Sequence, residues 1–355
     1  MSETAAWKFA TTSALAWEDM LASCRRAQKT IDLEQYIFGT GEGITRTFTD
    51  LLREKAKAGV RVRLLLDAVG SFSFYESAHC LELRSGGIDI AFHRATFLPN
   101  LKRFLPLILR DHRKLLIVDG QEAHIGGVII DECARHWRDT SVRLMGQIVA
   151  DCERAFALAW EKAQRMQPMG RVLTTIGGKQ RFFLAGNSYH LRDKDLYRAI
   201  IRQITMAKKS IAITTPYFSL THDLKRALYS AAARGVSIRL LLPTRSDNLL
   251  ADCLSRLYYR RLLRHRIQLF HYTDSFLHAK SIVVDTNWAS IGSCNFDWLS
   301  FRLNYELNVV SDHRDFVDEL QAQFDRDIDR SEPVTAAPPY LHWLLSRWGL
   351  SVKKV

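Results

Sequence analysis

The chain has 355 residues, 47% of them hydrophobic and 25% charged, which is too long for one small core and too apolar for a disordered polymer. Its formal net charge of +12 is spread along the whole length, so the expected partners are anionic: nucleic acid, anionic lipid headgroups or phosphorylated metabolites. Six scattered cysteines form neither a CxxC pair nor a zinc-finger spacing. They are expected as reduced core residues in a cytoplasmic protein. No run reaches the ~20 apolar residues of a spanning helix, and the first residues lack the basic-then-apolar order of a secretory leader. Any meeting with a membrane is therefore expected to be peripheral.

In chain order, IDLEQYIF (31–38) reads as a strand. The next segment places Ile44, Phe48, Leu51 and Leu52 on one helical face. Gly59 then stands where a helix end needs a left-handed residue, and Val60–Leu66 reads as a buried strand. The stretch ATFLPNLKRFLPLILRDH mixes Phe97, Leu98, Phe104 and Leu105 with Lys102, Arg103 and Arg110. That mixture suits a bilayer interface as well as it suits core packing. HRKLLIVDG (112–120) and GGVII (126–130) follow.

The order then repeats. IAITTPYF (211–218) parallels the first strand; Leu224, Ala227, Leu228 and Ala231 form the helical face; Gly235 and Val236–Leu242 match Gly59 and Val60–Leu66. HAKSIVVDT (278–286) parallels HRKLLIVDG. Strand and helix alternate in both copies, which predicts an α/β fold: two similar domains, 1–166 and 180–355, each a mixed sheet flanked by helices, packed as a pseudo-dimer within one chain. The Gly-rich stretch Met166–Lys179 is the expected boundary. Between the repeats' landmarks, SRLYYRRLLRHR (255–266) suits a strand-binding groove, but its spacing fits an amphipathic helix better, with Leu254, Leu257, Tyr258 and Leu262 facing the core and the arginines facing water. At the C-terminus, Trp343, Leu344, Leu345, Trp348 and Leu350 sit beside Arg347, Lys353 and Lys354, a second candidate for a membrane interface (340–354).

The chemistry concentrates in the repeated pattern H-x-K-x4-D-x6-G-[GS], carried by His112, Lys114, Asp119, Gly126 and Gly127, and again by His278, Lys280, Asp285, Gly292 and Ser293. A phosphodiester is anionic and resists attack. Lys114 and Lys280 supply positive charge to its oxygens, one imidazole can attack phosphorus, and the other can protonate the departing alkoxide. Two histidines and two lysines suffice without metal or other cofactor. Ser293 and Asn295 can donate to phosphoryl oxygens, with Gly127 at the matching place in the first copy. Asp119 and Asp285 end their strands and are expected to hold structure.

This doubled motif resembles the phospholipase D superfamily over nearly the whole chain. Within it, RDHRKLLIVDG, WRDTSVRLMG (137–146) and GSCNFDWLSFRLNYELNVV (292–310) resemble the cardiolipin synthase branch. The resemblance implies that the two histidines face each other across the domain interface. It also implies that an acidic residue after each motif orients that motif's histidine: Asp139, 27 residues after His112, and Glu306, 28 after His278. His112 is the expected nucleophile and His278 the acid. One departure stands out: Ile129 occupies the place of the expected Asn in the first copy. The implied function is phosphatidyl transfer on phosphatidylglycerol-like lipid at an anionic membrane surface. Hydrolysis of lipid or nucleic acid by water, and phosphoester binding without catalysis, stay open as alternatives.

Overall fold

The structure, a computed structural model, describes residues 6–93, 109–165, 181–188 and 193–336. The expected boundary at 166–179 and the C-terminal segment 340–354 lie outside the described residues, as does all of the 97–110 segment before Leu109.

The first half builds a seven-stranded mixed sheet from β1 (Trp7–Ala10), β2 (Thr30–Gln35), β3 (Arg61–Asp67), β4 (Asp89–His93), β5 (Leu115–Val118), β6 (Glu122–Gly126) and β7 (Ser141–Met145), in the order β1-β7-β6-β5-β2-β3-β4. The second half uses β8 (Phe182–Asn187), β9 (Ser210–Thr214), β10 (Ser237–Pro243), β11 (Gln268–Tyr272), β12 (Ser281–Val284), β13 (Trp288–Gly292), β14 (Glu306–Ser311) and β15 (Ser331–Pro333). Its order, β8-β14-β13-β12-β9-β10-β11-β15, is the first sheet's with one added edge strand. In each sheet the strands joined by the predicted helices run parallel: Leu33 pairs with Leu64, and Ile213 with Leu240. The helices Ile44–Lys57 and His222–Ala233 bury the predicted faces. Each chain segment then turns at Gly59 (φ +88°) or Gly235 (φ +84°). There a side chain would be strained, although nothing crowds the space it would fill.

The central strands are buried on both faces, which explains why they read as nearly continuous apolar runs. In β5, Leu116 and Val118 face an outer core with the helices Ser13–Arg26 and Ile44–Lys57, whereas Leu115 and Ile117 face the other way. That second face belongs to a core shared between the halves, filled by Phe156 of the helix Ile148–Gln164 and by Phe316, Leu320 and Phe324 of the helix Arg314–Ile328. Burying one such side chain contributes roughly 1.5–3 kcal/mol, so a core of this size fuses the halves into one body. A buried ion pair, Arg138 to Asp327 (2.6 Å), crosses the same interface.

The helix Leu249–Arg264 departs from the expectation. Tyr259 and Leu262 pack inward, but Leu254 and Leu257 are exposed together with the arginines. Leucine spacing alone does not say which face of a helix the rest of the protein covers.

Candidate active site

Both His-x-Lys segments end one residue before their strands begin, because their backbones pair first with the opposite half. The His112 amide donates to the Tyr305 carbonyl (3.0 Å) and the Tyr305 amide to the Arg110 carbonyl (2.8 Å). Symmetrically, the His278 amide donates to the Arg138 carbonyl (2.8 Å) and the Arg138 amide to the Phe276 carbonyl (2.9 Å). Each motif is thereby zipped to the residues just ahead of the other half's strand, β14 or β7.

This zipper reverses the expected pairing of acids and histidines. Glu306 lies beside His112, with Nδ1 at 3.1 Å from both carboxylate oxygens, and Asp139 lies beside His278, with Nδ1 at 2.6 Å from Oδ2. The physical reason is the register of the interdomain bridges, Asp111 with Tyr305 and Arg138 with Leu277. A carboxylate one residue beyond each bridge meets the histidine one residue beyond it on the other chain segment. Nδ1–H donates to the carboxylate, which leaves each Nε2 lone pair to other chemistry. Neither half therefore holds a complete site.

All four motif side chains are buried. The Lys114 ammonium donates to the carbonyl of His112 (2.6 Å), and that of Lys280 donates to the carbonyl of His278. Burial, opposed by Glu306, pushes Lys114 down to about 8. Burial also pushes Lys280 down to about 7, opposed by Asp139 and reinforced by Lys114. His278 is pushed to about 4 by burial and Lys280 against the pull of Asp139. Burial lowers His112 as well, with Glu306 pulling the other way. Both rings are thus neutral near pH 7. Burial alone would raise Asp139, but His278, Lys280 and the Thr140 amide hold it below the usual carboxylate range.

His112, His278 and Asn295 line one cleft of about 470 Å³. The buried Asn295 leaves its Oδ1 without a hydrogen-bond partner among the described residues, beside this space. Ile129 lines the cleft opposite and is otherwise part of the outer core, so no amide replaces the missing one there. Ser293 and Gly127, expected to meet substrate, do not border the cleft. The Ser293 hydroxyl donates to Glu306 (2.5 Å) and accepts from the Leu307 amide (3.0 Å). A Cβ at Gly127 would lie 2.4 Å from the Asp139 carboxylate, so glycine makes room for that acid. Asp119 and Asp285 keep their expected structural place. Asp119 accepts from the amides of Gln28, Lys29 and Thr30, and Asp285 from those of Lys208, Lys209 and Ser210, all at 2.7–2.9 Å.

Several cleft residues carried no motif. Tyr36 packs edge-on to His112 (4.9 Å between centroids) and lies under Lys114; Trp137 packs against His278 (4.8 Å). Tyr217, hydrogen-bonded to Asp247, completes the wall. Tyr36 and Tyr217 are the sixth and seventh residues of the repeats IDLEQYIF and IAITTPYF, so each half puts a tyrosine just past its first parallel strand, one position apart.

Comparison with known proteins shows the family and the fold. The family described as cardiolipin synthase, PLD-like domain, matches residues 20–147 and again 200–328. The chain is 32% identical over 344 residues to a probable cardiolipin synthase of Bacillus subtilis, covering 93% of this chain and 67% of that one. It is 35% identical over 326 residues to a cardiolipin synthase of Geobacillus thermodenitrificans, covering 87% and 63%. The chain thus spans about two thirds of the length of the curated relatives it matches. In fold it resembles the crystal structure of phosphatidylserine synthase from Haemophilus influenzae, with a TM-score of 0.73 at 13% identity, covering 97% of this chain and 93% of that one. With the same family matched once in each half, and its two motifs meeting in one cleft, the chain belongs to the cardiolipin synthase, phospholipase D-like domain family.

Proposed function

We propose that the protein is a phosphatidyltransferase of the cardiolipin synthase type, acting on phosphatidylglycerol-like anionic phospholipid through a phosphohistidine. The observation that carries this reading is the crossed pair of carboxylate-oriented histidines that line one cleft, each with its motif's buried lysine held against its backbone carbonyl. In the first step Nε2 of His112 attacks phosphorus and the P–O bond to glycerol breaks. His278, protonated as the anionic phosphodiester enters, gives its Nε2 proton to the leaving alkoxide. Lys114 and Lys280 neutralise charge on the phosphoryl oxygens, and Asn295 adds a hydrogen bond. In the second step a hydroxyl of another lipid's glycerol loses its proton to His278 and attacks phosphorus, and the P–N bond breaks to restore His112. Support comes from the names of the relatives, both cardiolipin synthases. The working location is the cytoplasmic face of an anionic membrane; no helix among the described residues is long and apolar enough to cross one.

The test is incubation of the purified protein with phosphatidylglycerol vesicles and, separately, with single-stranded DNA. Cardiolipin and free glycerol are the expected products. Phosphatidic acid alone would make the protein a hydrolase, cleaved DNA a nuclease, and no product in either arm a phosphoester-binding protein.

A further inference from the structure

The helix Leu249–Arg264 begins at the cleft, where Asn248 and Ala251 line it, and runs away over the surface. Leu250, Leu254 and Leu257 recur at the i, i+4, i+7 spacing that places them on one side, and they are 68%, 42% and 59% exposed. Continuing the same spacing, Arg261 and Arg264 extend this stripe, and both are exposed. Asp252, the helix's only acidic residue, is buried. Leu299 lines the same cleft, and it and its neighbour Trp298 are also about half exposed, at 48% and 50%. Single exposed leucines need no explanation, but a continuous apolar stripe with a basic end, beside the cleft mouth, does.

The first half repeats the placement. After β3, whose last residue Asp67 accepts from the Asp111 amide next to His112, the chain exposes Val69, Phe72 and Tyr75. The equivalent connections of both sheets therefore put apolar side chains at the site's end of the molecule.

We infer that the exposed face of the helix Leu249–Arg264, with Trp298 and Leu299, is the surface by which the protein docks on an anionic lipid bilayer, the leucines entering the headgroup layer and the arginines meeting lipid phosphates. A bilayer fits better than a protein partner because the leucines, Trp298 and basic end together match what sits at headgroup depth. The face is continuous with the cleft that a lipid headgroup must enter. This rests on the phosphatidyl-transfer reading for its purpose, but vesicle binding tests it separately.

The experiment compares sedimentation of the full chain with phosphatidylglycerol-containing and with pure phosphatidylcholine vesicles. One variant carries Leu250→Ser, Leu254→Ser and Leu257→Ser; a second carries Arg261→Gln and Arg264→Gln. At roughly 1 M salt, where the screening length is about 3 Å, the wild type retains partitioning and the leucine variant loses it about tenfold or more. At low salt the arginine variant loses its preference for anionic vesicles, by about fivefold per charge. All three proteins melt alike, since the substituted side chains face solvent. Equal partitioning of the leucine variant and wild type overturns the inference. So does a wild type that chromatographs as a dimer beside a monomeric leucine variant of unchanged vesicle binding, which would assign the stripe to a second copy. Turnover of a short-chain, monomeric phosphatidylglycerol is expected to be equal in wild type and leucine variant; its absence in the wild type would defeat the transfer reading and leave the docking result standing.

Discussion

The two halves share strand order, helix faces and motif, yet they hold their acids differently. In the second half, Ser293 fills the space beside the acid and grips Glu306, which spans His112 with both oxygens. In the first half Gly127 leaves that space empty for Asp139, whose shorter side chain reaches His278 with one oxygen. The residue between His and Lys differs too. Arg113 lies buried against Asp111 and Glu34, whereas Ala279 joins the apolar core between the halves. A duplicated scaffold can therefore keep one reaction geometry while its two copies take different supporting roles, because each carboxylate serves the opposite half.

The largest expected effect comes from removing either ring. His112→Ala and His278→Ala each lower turnover on the order of 10⁴-fold or more, with the double variant hardly worse, since groups acting as one unit are non-additive. Lys114→Ala and Lys280→Ala fall in the same range. Steady-state assays of the five proteins check this. Because the phosphorus–nitrogen bond is acid-labile, acidic digestion is avoided and a trapped phosphopeptide is sequenced under alkaline conditions. A phosphate on His278 instead of His112 would exchange the roles of the two halves.

The acid supports give the next effect, and they separate the halves. Gly127→Ser forces Asp139 off His278, and a mispositioned partner of this kind costs about 100-fold. Ser293→Gly merely frees one side of Glu306, which keeps both contacts to His112, so about tenfold is expected. Comparable losses in the two variants would mean that Ser293 does more than hold Glu306. In both, the loss is expected in kcat with KM little changed, because neither residue borders the cleft.

Much of this was legible in the sequence, and the reason is local. Helix faces at Ile44–Leu52 and Leu224–Ala231, the turns at Gly59 and Gly235, and the apolar strands each follow from periodicity within a few residues. The position of Asp119 and Asp285 at the ends of their strands also pointed to a structural place. The crossing of Glu306 and Asp139 was not legible, because it depends on backbone bridges between residues such as Asp111 and Tyr305, far apart in the chain. Ser293 and Gly127 looked like substrate contacts because the motif gives their place in the chain and not the direction of their side chains. The exposed leucines of Leu249–Arg264 were misassigned for the same reason: amphipathic spacing identifies two faces, and only tertiary packing decides which is covered.

A subtler difference between the halves lies in the two lysines, at about 8 for Lys114 and about 7 for Lys280. A lysine whose folded value is lowered loses its charge as pH rises through that value. The kcat/KM profile, which reports the free enzyme, already falls above about 4 because His278 must gain a proton, and it steepens above about 7, where loss of the Lys280 charge adds roughly tenfold per pH unit. Bound phosphodiester favours the ammonium form, so the corresponding limb in kcat lies at higher pH. In Lys280→Arg the cation at that place no longer titrates, and the residual activity should show its alkaline limb moved to about 8, set by Lys114. A limb unmoved by this change would assign it to another group.

The smallest expected difference is none at all, and it concerns the aspartates where the halves agree. Asp119 and Asp285 each gather three consecutive amides from the start of the first parallel strand, β2 or β9, at φ of 53° and 52°. Asn tolerates that left-handed backbone and keeps one acceptor oxygen; Ala loses the acceptors and is strained. Asp→Asn at either position should thus cost about 1 kcal/mol and Asp→Ala about 2–3 kcal/mol, equally in both halves, by denaturant titration. Although burial pushes both carboxyls up, the amide hydrogen bonds outweigh it and hold them below their ordinary value. The stability they supply is complete above the unfolded pKa of about 3.9, and it is lost as pH falls through the lower folded value. The gap between wild type and either variant should accordingly be constant near neutrality and close only in acid. Assayed well below their melting points, the Asn variants should retain the wild-type rate, because neither carboxylate borders the cleft. A selective loss of turnover in one of them, with stability intact, would show that its half transmits the strand's position to the neighbouring histidine and the other does not.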